Sequence, residues 1–171
     1  MTVSHGQLRG GEEGLTSTPF WTWVQDKTPS AIHASRRERL RQMLPDGGMA
    51  VIFTNPEQVR NNDVDFQFRA DSNFLYLTGF NEADAALVLS KSGFVYKGKT
   101  VHELLFCNAR SRSTEVWNGY RFGPERAQEV LGFETVTVNR DWKEFWTQFP
   151  LGLEPVSIVS PEPELATRKL G

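Results

Sequence analysis

Residues 61 to 80 change their hydrophobic period in the middle, and this change constrains the fold more than any other feature of the chain. From Asp63 to Asp71, polar and apolar residues alternate, which is the period of an extended segment with one apolar side. The following residues predict a two-turn helix that Asp71 or Ser72 caps and Gly79 ends. So short a helix is not stable alone, so this segment must pack on a larger core.

Helix signals recur along the rest of the chain. A hydroxyl cap and a proline at Thr28-Pro29 predict the start of a helix, and the turn residues 45–48 predict its end. Gly123-Pro124 predicts the start of another helix, which Gly132 ends. Asn139 or Asp141 is expected to cap the last one. An aromatic stripe at helical spacing follows, which is typical of core: Trp142, Phe145, Trp146 and Phe149.

Short apolar runs between these helices predict strands at 49–53, 85–89, 101–107, 133–138 and 156–159. The alternation of strands and helices predicts an α/β fold on a mixed sheet. Residues 90–100 are polar and contain glycine, so the strands on either side are expected to pair as an antiparallel hairpin with a long tip.

This connection matches the G-x-x-x-x-G-K-[ST] pattern of a phosphate-binding loop from Gly93 to Thr100. Phe94, Val95 and Tyr96 are bulky strand formers, which are unsuited to a loop that curls around an anion. The match is therefore interpreted as a chance feature of the hairpin tip.

The charge, cysteine content and apolar runs of the chain argue against several classes of protein. The chain of 171 residues has a net charge of -2, which argues against a general nucleic-acid binder. Its single cysteine, Cys107, lies in an apolar run and is expected to be a buried, inert thiol. Glu12 and Glu13 stand where a secretory signal would have its apolar core, and no run is long enough to span a membrane. We expect a cytoplasmic protein with neither nucleic-acid nor membrane partners.

Three regions are predicted along the chain. Residues 1–27 form a mobile tail followed by an aromatic arm, whose apolar cluster at 20–24 is expected to lie on the domain or on a partner subunit. Residues 28–160 form the domain. Residues 161–171, which begin Pro-Glu-Pro, are expected to start a linker to an absent catalytic domain.

Charged residues of the chain form no recognisable catalytic or metal motif. The basic cluster Arg36, Arg37, Arg39 and Arg41 is interpreted as a solvated helix face, with phosphate binding as the alternative. Asp63, Asp65 and Asp71 are interpreted as ion-pair partners of Arg69, with calcium binding as the alternative.

Two blocks resemble the N-terminal domain of Xaa-Pro aminopeptidases (aminopeptidase P). Residues 66–80, FQFRADSNFLYLTGF, resemble the hallmark segment of that domain, and residues 115–125, EVWNGYRFGPE, are similar to its Trp-x-Gly-x-Arg-x-Gly signature. The leader 36–40 and the run 49–53 match its opening helix and strand. The resemblance covers 35–159. It implies a creatinase/prolidase-type N-terminal domain of the ribonuclease H-like class, with helices on both faces of a mixed sheet.

This resemblance also implies a function for the whole protein. The family releases the N-terminal residue before a proline in the second position of a peptide, using two divalent metals, typically manganese, in a following domain. None of those metal ligands is placed in this sequence, so the chain alone is expected to be inactive. The N-terminal domain is implied to shape substrate access and to take part in homo-oligomer contacts.

Three side chains are candidates for substrate binding by this resemblance. Trp117 is expected to offer an aromatic wall to the peptide, while Arg121 or Arg110 attracts its carboxylate end. The alternative is that Trp117 fills the core and that Arg121 pairs with a neighbouring glutamate, Glu115 or Glu125. Ser111 follows Arg110 where the family commonly has an aspartate, which weakens the case for Arg110.

Two other functions remain open at this level. The same type of domain serves as a stand-alone, non-catalytic protein-binding module in relatives without metals, including a histone chaperone subunit. It also forms the N-terminal domain of prolidases and creatinases. The Leu-Thr-Gly-Phe run at 77–80 and the Trp-x-Gly-x-Arg block at 117–121 favour aminopeptidase P over both.

Overall fold

The computed structural model of the protein describes residues 28–61, 64–111, 121–148 and 156–159. The aromatic arm at 20–24, the expected linker from 161, and Phe149 lie outside these ranges. Within them, the helices are α1 (Ser30–Met43), α2 (Ser72–Thr78), α3 (Gly123–Leu131) and α4 (Trp142–Thr147), the last preceded by a 3-10 turn at Asn139–Asp141. The strands are β1 (Met49–Phe53), β2 (Val59–Asn61), β3 (Val64–Asp65), β4 (Ala86–Tyr96), β5 (Lys99–Cys107), β6 (Thr135–Val138) and β7 (Val156–Val159).

Five of these strands form one mixed sheet in the order β6-β5-β4-β1-β7. β4 runs antiparallel to both of its neighbours, β1 and β5, whereas β7 is parallel to β1 and β6 is parallel to β5. The short strands β2 and β3 pair separately. The predicted mixed sheet is confirmed.

Helices cover both faces of this sheet, because the central strands are apolar on both sides. The first face packs under α1, α2 and α3 through the sheet residues Ala50, Ile52, Leu87, Leu89, Leu105 and Cys107. The second face packs under α4 through Met49, Val51, Phe53, Ala86, Val88, Leu104 and Phe106. The predicted core role of the aromatic stripe is confirmed for Phe145, which is fully buried between Phe94 and Phe106, while Trp142 and Trp146 are half-buried against the same core.

The short helix α2 has the predicted ends. Its first amides, those of Asn73 and Phe74, donate to the Asp71 carboxylate at 2.9 and 3.1 Å, so Asp71 rather than Ser72 is the cap. Gly79 ends the helix with a φ of 66°. Phe80 then turns back onto Phe74, with ring centroids 6.5 Å apart, and both rings are buried.

The start of α1 differs from the prediction by one residue. Pro29 occupies the cap position with an extended ψ of 138°, and no side chain caps the helix. The Pro29 carbonyl accepts the first hydrogen bond, from the Ile32 amide at 2.9 Å. Pro29 is thus the last extended residue before the helix, and the Thr28 hydroxyl does not act as the cap.

The interpretation of the basic cluster as a solvated face is wrong for Arg37, whose side chain is 0% exposed. Its guanidinium donates to both carboxylate oxygens of Glu103 on β5, at 2.7 and 3.2 Å. It also donates to the carbonyls of Leu77 and Gly132, and it lies 4.0 Å from the centre of the Phe133 ring. A buried charge is tolerated only when it is paired and hydrogen-bonded in this way.

The predicted long hairpin tip is also wrong, because β4 continues to Tyr96 and only Lys97 and Gly98 form the turn. Both turn residues have a positive φ, 48° and 77°, as a tight two-residue hairpin requires. Lys99 and Thr100 belong to β5 and pair across the hairpin, so the interpretation of the phosphate-loop match as a chance feature is confirmed.

This hairpin bends over the second face at an irregularity in its register between Leu89 and Phe94. Beyond the bend, the Tyr96 ring packs on Phe106 and its hydroxyl donates to Thr137 at 3.0 Å. Lys97 is paired with Asp141 at 2.8 Å. Hydrogen bonding from Lys97, more than any other contact, holds the pKa of Asp141 below its usual value.

Candidate functional site

One edge of the sheet collects the loops that carry the candidate residues. β1, β5 and β6 end at this edge and β4 begins there, since Phe53 and Phe106 both pair with Ala86, and Cys107 pairs with Val138. We call this region the loop edge; it consists of residues 54–58, 79–85, 108–111, 121–122 and 139–141. Ligands commonly bind beyond the carboxyl ends of strands in α/β folds.

Arg121 lies at the loop edge, immediately before α3, with a side chain that is 13% exposed. Its guanidinium pairs with Glu57, the partner from the loop after β1, at 3.0 Å. The alternative to substrate binding named Glu115 or Glu125 as the partner of Arg121. Glu57 is instead 64 positions away in sequence, and only the fold brings it close.

The backbone beside Arg121 is held firmly. The Phe122 amide donates to the Glu82 carboxylate at 2.8 Å, and the buried Phe122 ring lies 5.9 Å from Phe80. Because Phe122 is fixed by a hydrogen bond and by core packing, the position of Arg121 at the loop edge is fixed as well.

Arg110 is exposed and lies beside the start of α3. A Cβ atom placed on Gly123 would lie 2.9 Å from the Arg110 Cβ, so only glycine permits this approach of the two loops. The structure therefore brings Arg110 to the same edge as Arg121, two residues before this glycine.

Trp117 lies outside the described residues, so the structure places neither its ring nor its partners. The described residues on either side of its segment are Ser111 and Arg121, and both belong to the loop edge. The expected aromatic wall and its core-filling alternative both remain predictions.

Three asparagines bond to neighbouring loops at this edge; from the sequence, Asn139 is considered only as a helix cap, and the other two are not singled out. Asn108 donates to the Ala83 carbonyl at 3.0 Å, and Asn139 donates to Asn108 at 2.7 Å. The third, Asn81, accepts from the Ala70 amide at 2.7 Å. The signal that could have identified Asn108 and Asn139 is their position directly after strands β5 and β6.

Catalytic groups are not assembled among the described residues. Burial, followed by the nearby charges of Glu82 and Glu125, raises the pKa of the Cys107 thiol to about 12, so it stays protonated. No group of three His, Cys, Asp or Glu side chains there could hold a metal ion.

The predicted ion pairs of Arg69 are not observed in the described part of the chain. Arg69 donates to the Ser72 hydroxyl at 3.1 Å and to the Ala70 carbonyl at 3.3 Å, while Asp71 is used as the helix cap. The side chains of Asp63 and Asp65 lie outside the described residues. Across the described ranges, no helix is both long and apolar enough for a membrane span.

Comparison with known proteins adds independent evidence. Residues 33–154 match the family described as the aminopeptidase P N-terminal domain. The Xaa-Pro aminopeptidase of Haemophilus influenzae is 36% identical over 143 residues, which cover 82% of this chain and 31% of that protein. The Xaa-Pro aminopeptidase of Escherichia coli is 39% identical over 99 residues, which cover 58% of this chain and 22% of that protein.

Solved structures agree with these sequence matches. The low-pH form of Escherichia coli aminopeptidase P aligns with a TM-score of 0.73 and 31% identity, over 85% of this chain and 32% of that one. The same enzyme with the inhibitor Pro-Leu aligns equally well. The chain spans about a third or less of the length of these relatives. From the matched residues and the shared fold, the chain belongs to the aminopeptidase P N-terminal domain family.

Proposed function

We propose that this chain is the N-terminal domain of a metal-dependent Xaa-Pro aminopeptidase and that its loop edge shapes the approach of the peptide substrate. The observation that carries the proposal is the placement of Arg110, Arg121 and both ends of the Trp117 segment at one edge of the sheet. The relatives named Xaa-Pro aminopeptidase support the activity, and they favour it over a stand-alone binding module.

The substrate would be a peptide with proline in its second position. Guanidinium groups bind carboxylates through directed, charge-assisted hydrogen bonds, so Arg121 or Arg110 would receive the carboxylate end of the peptide. Trp117 would supply an apolar wall beside them. Residues of the chain thus bind and orient the substrate and take no part in the bond cleavage itself.

Two divalent metal ions, manganese in our proposal, would activate the water that cleaves the bond. The described residues do not fit such a centre, because they contain no suitable group of three ligands. The ligands would come from a following domain. We derive no step of the reaction through the metals from this chain.

The proposal also includes an oligomeric state and a cellular compartment for the full protein. The full protein would be a homo-oligomer in which the loop edge faces an active site, either its own or that of a neighbouring subunit. The cytoplasm is the expected compartment, since a chain with one cysteine requires no oxidising environment.

The test is manganese-dependent cleavage of an Xaa-Pro peptide by the full-length protein and by its Trp117→Ala variant. We expect cleavage by the wild type and a loss of turnover in the variant, with an unchanged circular dichroism spectrum and unchanged oligomeric state. Normal turnover in the variant would refute the aromatic wall. No cleavage by the wild type with manganese or other divalent metals would refute the enzyme function.

A further inference from the structure

A groove of about 430 Å³ lies between α1 and α2 on the first face of the sheet. Its base is aliphatic: Ile52 of β1 and Leu77 of α2 are buried there, and Leu40 of α1 is half-buried. Met43, the last residue of α1, is 80% exposed at the side of the groove, and its flexible side chain can adapt to a bound ligand. The volume of the groove is in the range of sites for small molecules.

Two cationic side chains on α1, Arg36 and Arg39, line the same groove about one helical turn apart. None of the described residues that line it is acidic. Neither arginine forms an ion pair with a described carboxylate, because Glu38, which lies between them in sequence, is bonded to Arg41 and Gln42 instead. The groove therefore combines an aliphatic base with positive charge that no described residue neutralises.

Contacts with α2 hold the Arg36 guanidinium in one orientation. Its Nη1 atom donates to the Tyr76 carbonyl at 3.0 Å, and its central carbon lies 4.0 Å from the centre of the Tyr76 ring. The Nε and Nη2 atoms donate to no atom of the described residues. These two atoms form the edge through which a guanidinium binds a carboxylate in a bidentate manner. Because the group is already fixed, the binding of a carboxylate costs little conformational entropy.

We propose that this groove binds a small amphiphilic carboxylate, with the carboxylate on the Nε–Nη2 edge of Arg36 and an unbranched aliphatic tail on the base of the groove. One guanidinium edge matches one carboxylate. The groove is also of the size of a small ligand, whereas a protein interface covers about 800 Å² on each partner. None of the lining residues belongs to the loop edge, so the inference does not rest on the proposed function.

Titration of the isotope-labelled 171-residue chain with octanoate, followed through the amide NMR shifts, tests this site. Octanoate should bind saturably and shift the amides of residues 36–43 and 73–77, but not those of α4 on the opposite face. Octanol has the same tail without the charge and should bind at least about tenfold more weakly. Acetate has the charge without the tail and should cause no saturable shift at the same concentrations.

Variants on α1 test the role of the guanidinium. Arg36→Gln should weaken the binding of octanoate at least about tenfold and leave the binding of octanol unchanged. Arg41→Gln is the matched control, because it removes the same charge from the same helix at a residue that is paired with Glu38. In physiological salt, which screens charges outside the site, this control should change the affinity for octanoate less than about twofold.

The absence of saturable octanoate binding would overturn the proposal, and so would octanol binding as tightly as octanoate. Equal weakening by Arg36→Gln and Arg41→Gln would also overturn it, since general attraction to a basic helix would then explain the binding. If Arg36→Gln misfolds, the wild-type shifts still decide, because the largest shifts outside residues 36–43 and 73–77 would place the ligand elsewhere. Concentration-dependent broadening of the amides of 36–43 without octanoate binding would show that a second copy covers the groove instead.

Discussion

Gly79 satisfies two requirements at a single position. Its φ of 66° is left-handed, and a Cβ atom there would lie 2.8 Å from the His33 Nε2 atom. The buried His33 ring cannot easily move away, because its Nδ1 atom donates to the Tyr76 carbonyl at 2.9 Å. The end of α2 and the packing of α1 on it thus depend on the same glycine.

We therefore expect Gly79→Ala to lower the free energy of unfolding by about 2–4 kcal/mol, the sum of left-handed strain and overpacking. The measurement is urea denaturation. Gly47→Ala is the matched control, since Gly47 has a φ of 75° but no atom within 4 Å of an added Cβ. That control should lose only about 1 kcal/mol. Equal losses would show that the contact with His33 contributes nothing.

Cys107 gives the stability of the domain a specific dependence on pH. In the unfolded chain the thiol loses its proton near a pKa of 9.0, while in the folded protein its pKa is about 12. Between these values the folded state binds more protons, so the free energy of unfolding falls as the pH rises. The contribution of this thiol is fully present below pH 9 and declines by about 1.4 kcal/mol per pH unit above it.

Comparison of the wild type with Cys107→Ala isolates this effect from other groups that titrate in the same range. We expect the wild type to lose stability more steeply than the variant between pH 9 and pH 11, as measured by urea unfolding at each pH. Parallel curves for the two proteins would contradict the burial of the thiol.

At the level of secondary-structure elements, Arg37 connects three helices to the sheet. Its contacts reach Glu103 on β5, the last turn of α2 at Leu77 and the residue that ends α3, Gly132. Removing the guanidinium leaves a largely buried carboxylate without its counter-ion, which costs about 3–5 kcal/mol. We expect Arg37→Met to lower the free energy of unfolding by this amount in chemical denaturation.

The control for this prediction lies on the same helix. Arg39 is exposed, so Arg39→Met should change the free energy of unfolding by less than about 0.5 kcal/mol. A similar loss in both variants would mean that helix propensity or net charge, rather than the buried pair, controls the stability of α1.

Elements defined by local signals were predictable from the sequence. The cap at Asp71, the left-handed Gly79 and the continuous apolar run of β1 each depend on a few neighbouring residues. The extension of β4 beyond Ser90 was missed, because the polar and glycine residues at 91–93 resemble a turn, although the strand formers at 94–96 follow them. Tertiary contacts of Phe94 and Tyr96 override the local turn signals there.

The sequence names candidate residues for the site, but it does not predict their partners in the fold. Family resemblance offers Arg121, inside the block 115–125, and Arg110, just before it, as candidates, and the fold places both at the loop edge. Glu57 belongs to the loop after β1, so its pairing with Arg121 depends on the order of strands in the sheet. The burial of Arg37 was missed for the same reason, since Glu103 is 66 positions away.

At the scale of the whole molecule, variants of the Arg121–Glu57 ion pair can distinguish a ligand-binding role of Arg121 from a structural one. The two loops that it joins belong to opposite halves of the chain, and at 13% and 43% exposure the side chains remain within reach of a ligand. A partly exposed pair of this kind contributes only about 0.2–1 kcal/mol to stability. An effect on catalysis larger than that would have to come from contact with the substrate.

Under the proposed function, we expect Arg121→Gln in the full-length protein to raise KM about tenfold for an Xaa-Pro peptide with a free carboxylate, which corresponds to about 1.4 kcal/mol. The same peptide with an amidated C-terminus should show little change, because it offers no carboxylate to the guanidinium. Glu57→Gln breaks the ion pair between the two loops but keeps the Arg121 cation. This variant should therefore still prefer the peptide with a free carboxylate over the amidated one. If both variants change KM equally for both peptides, Arg121 only holds the two loops together, and the carboxylate must be bound elsewhere.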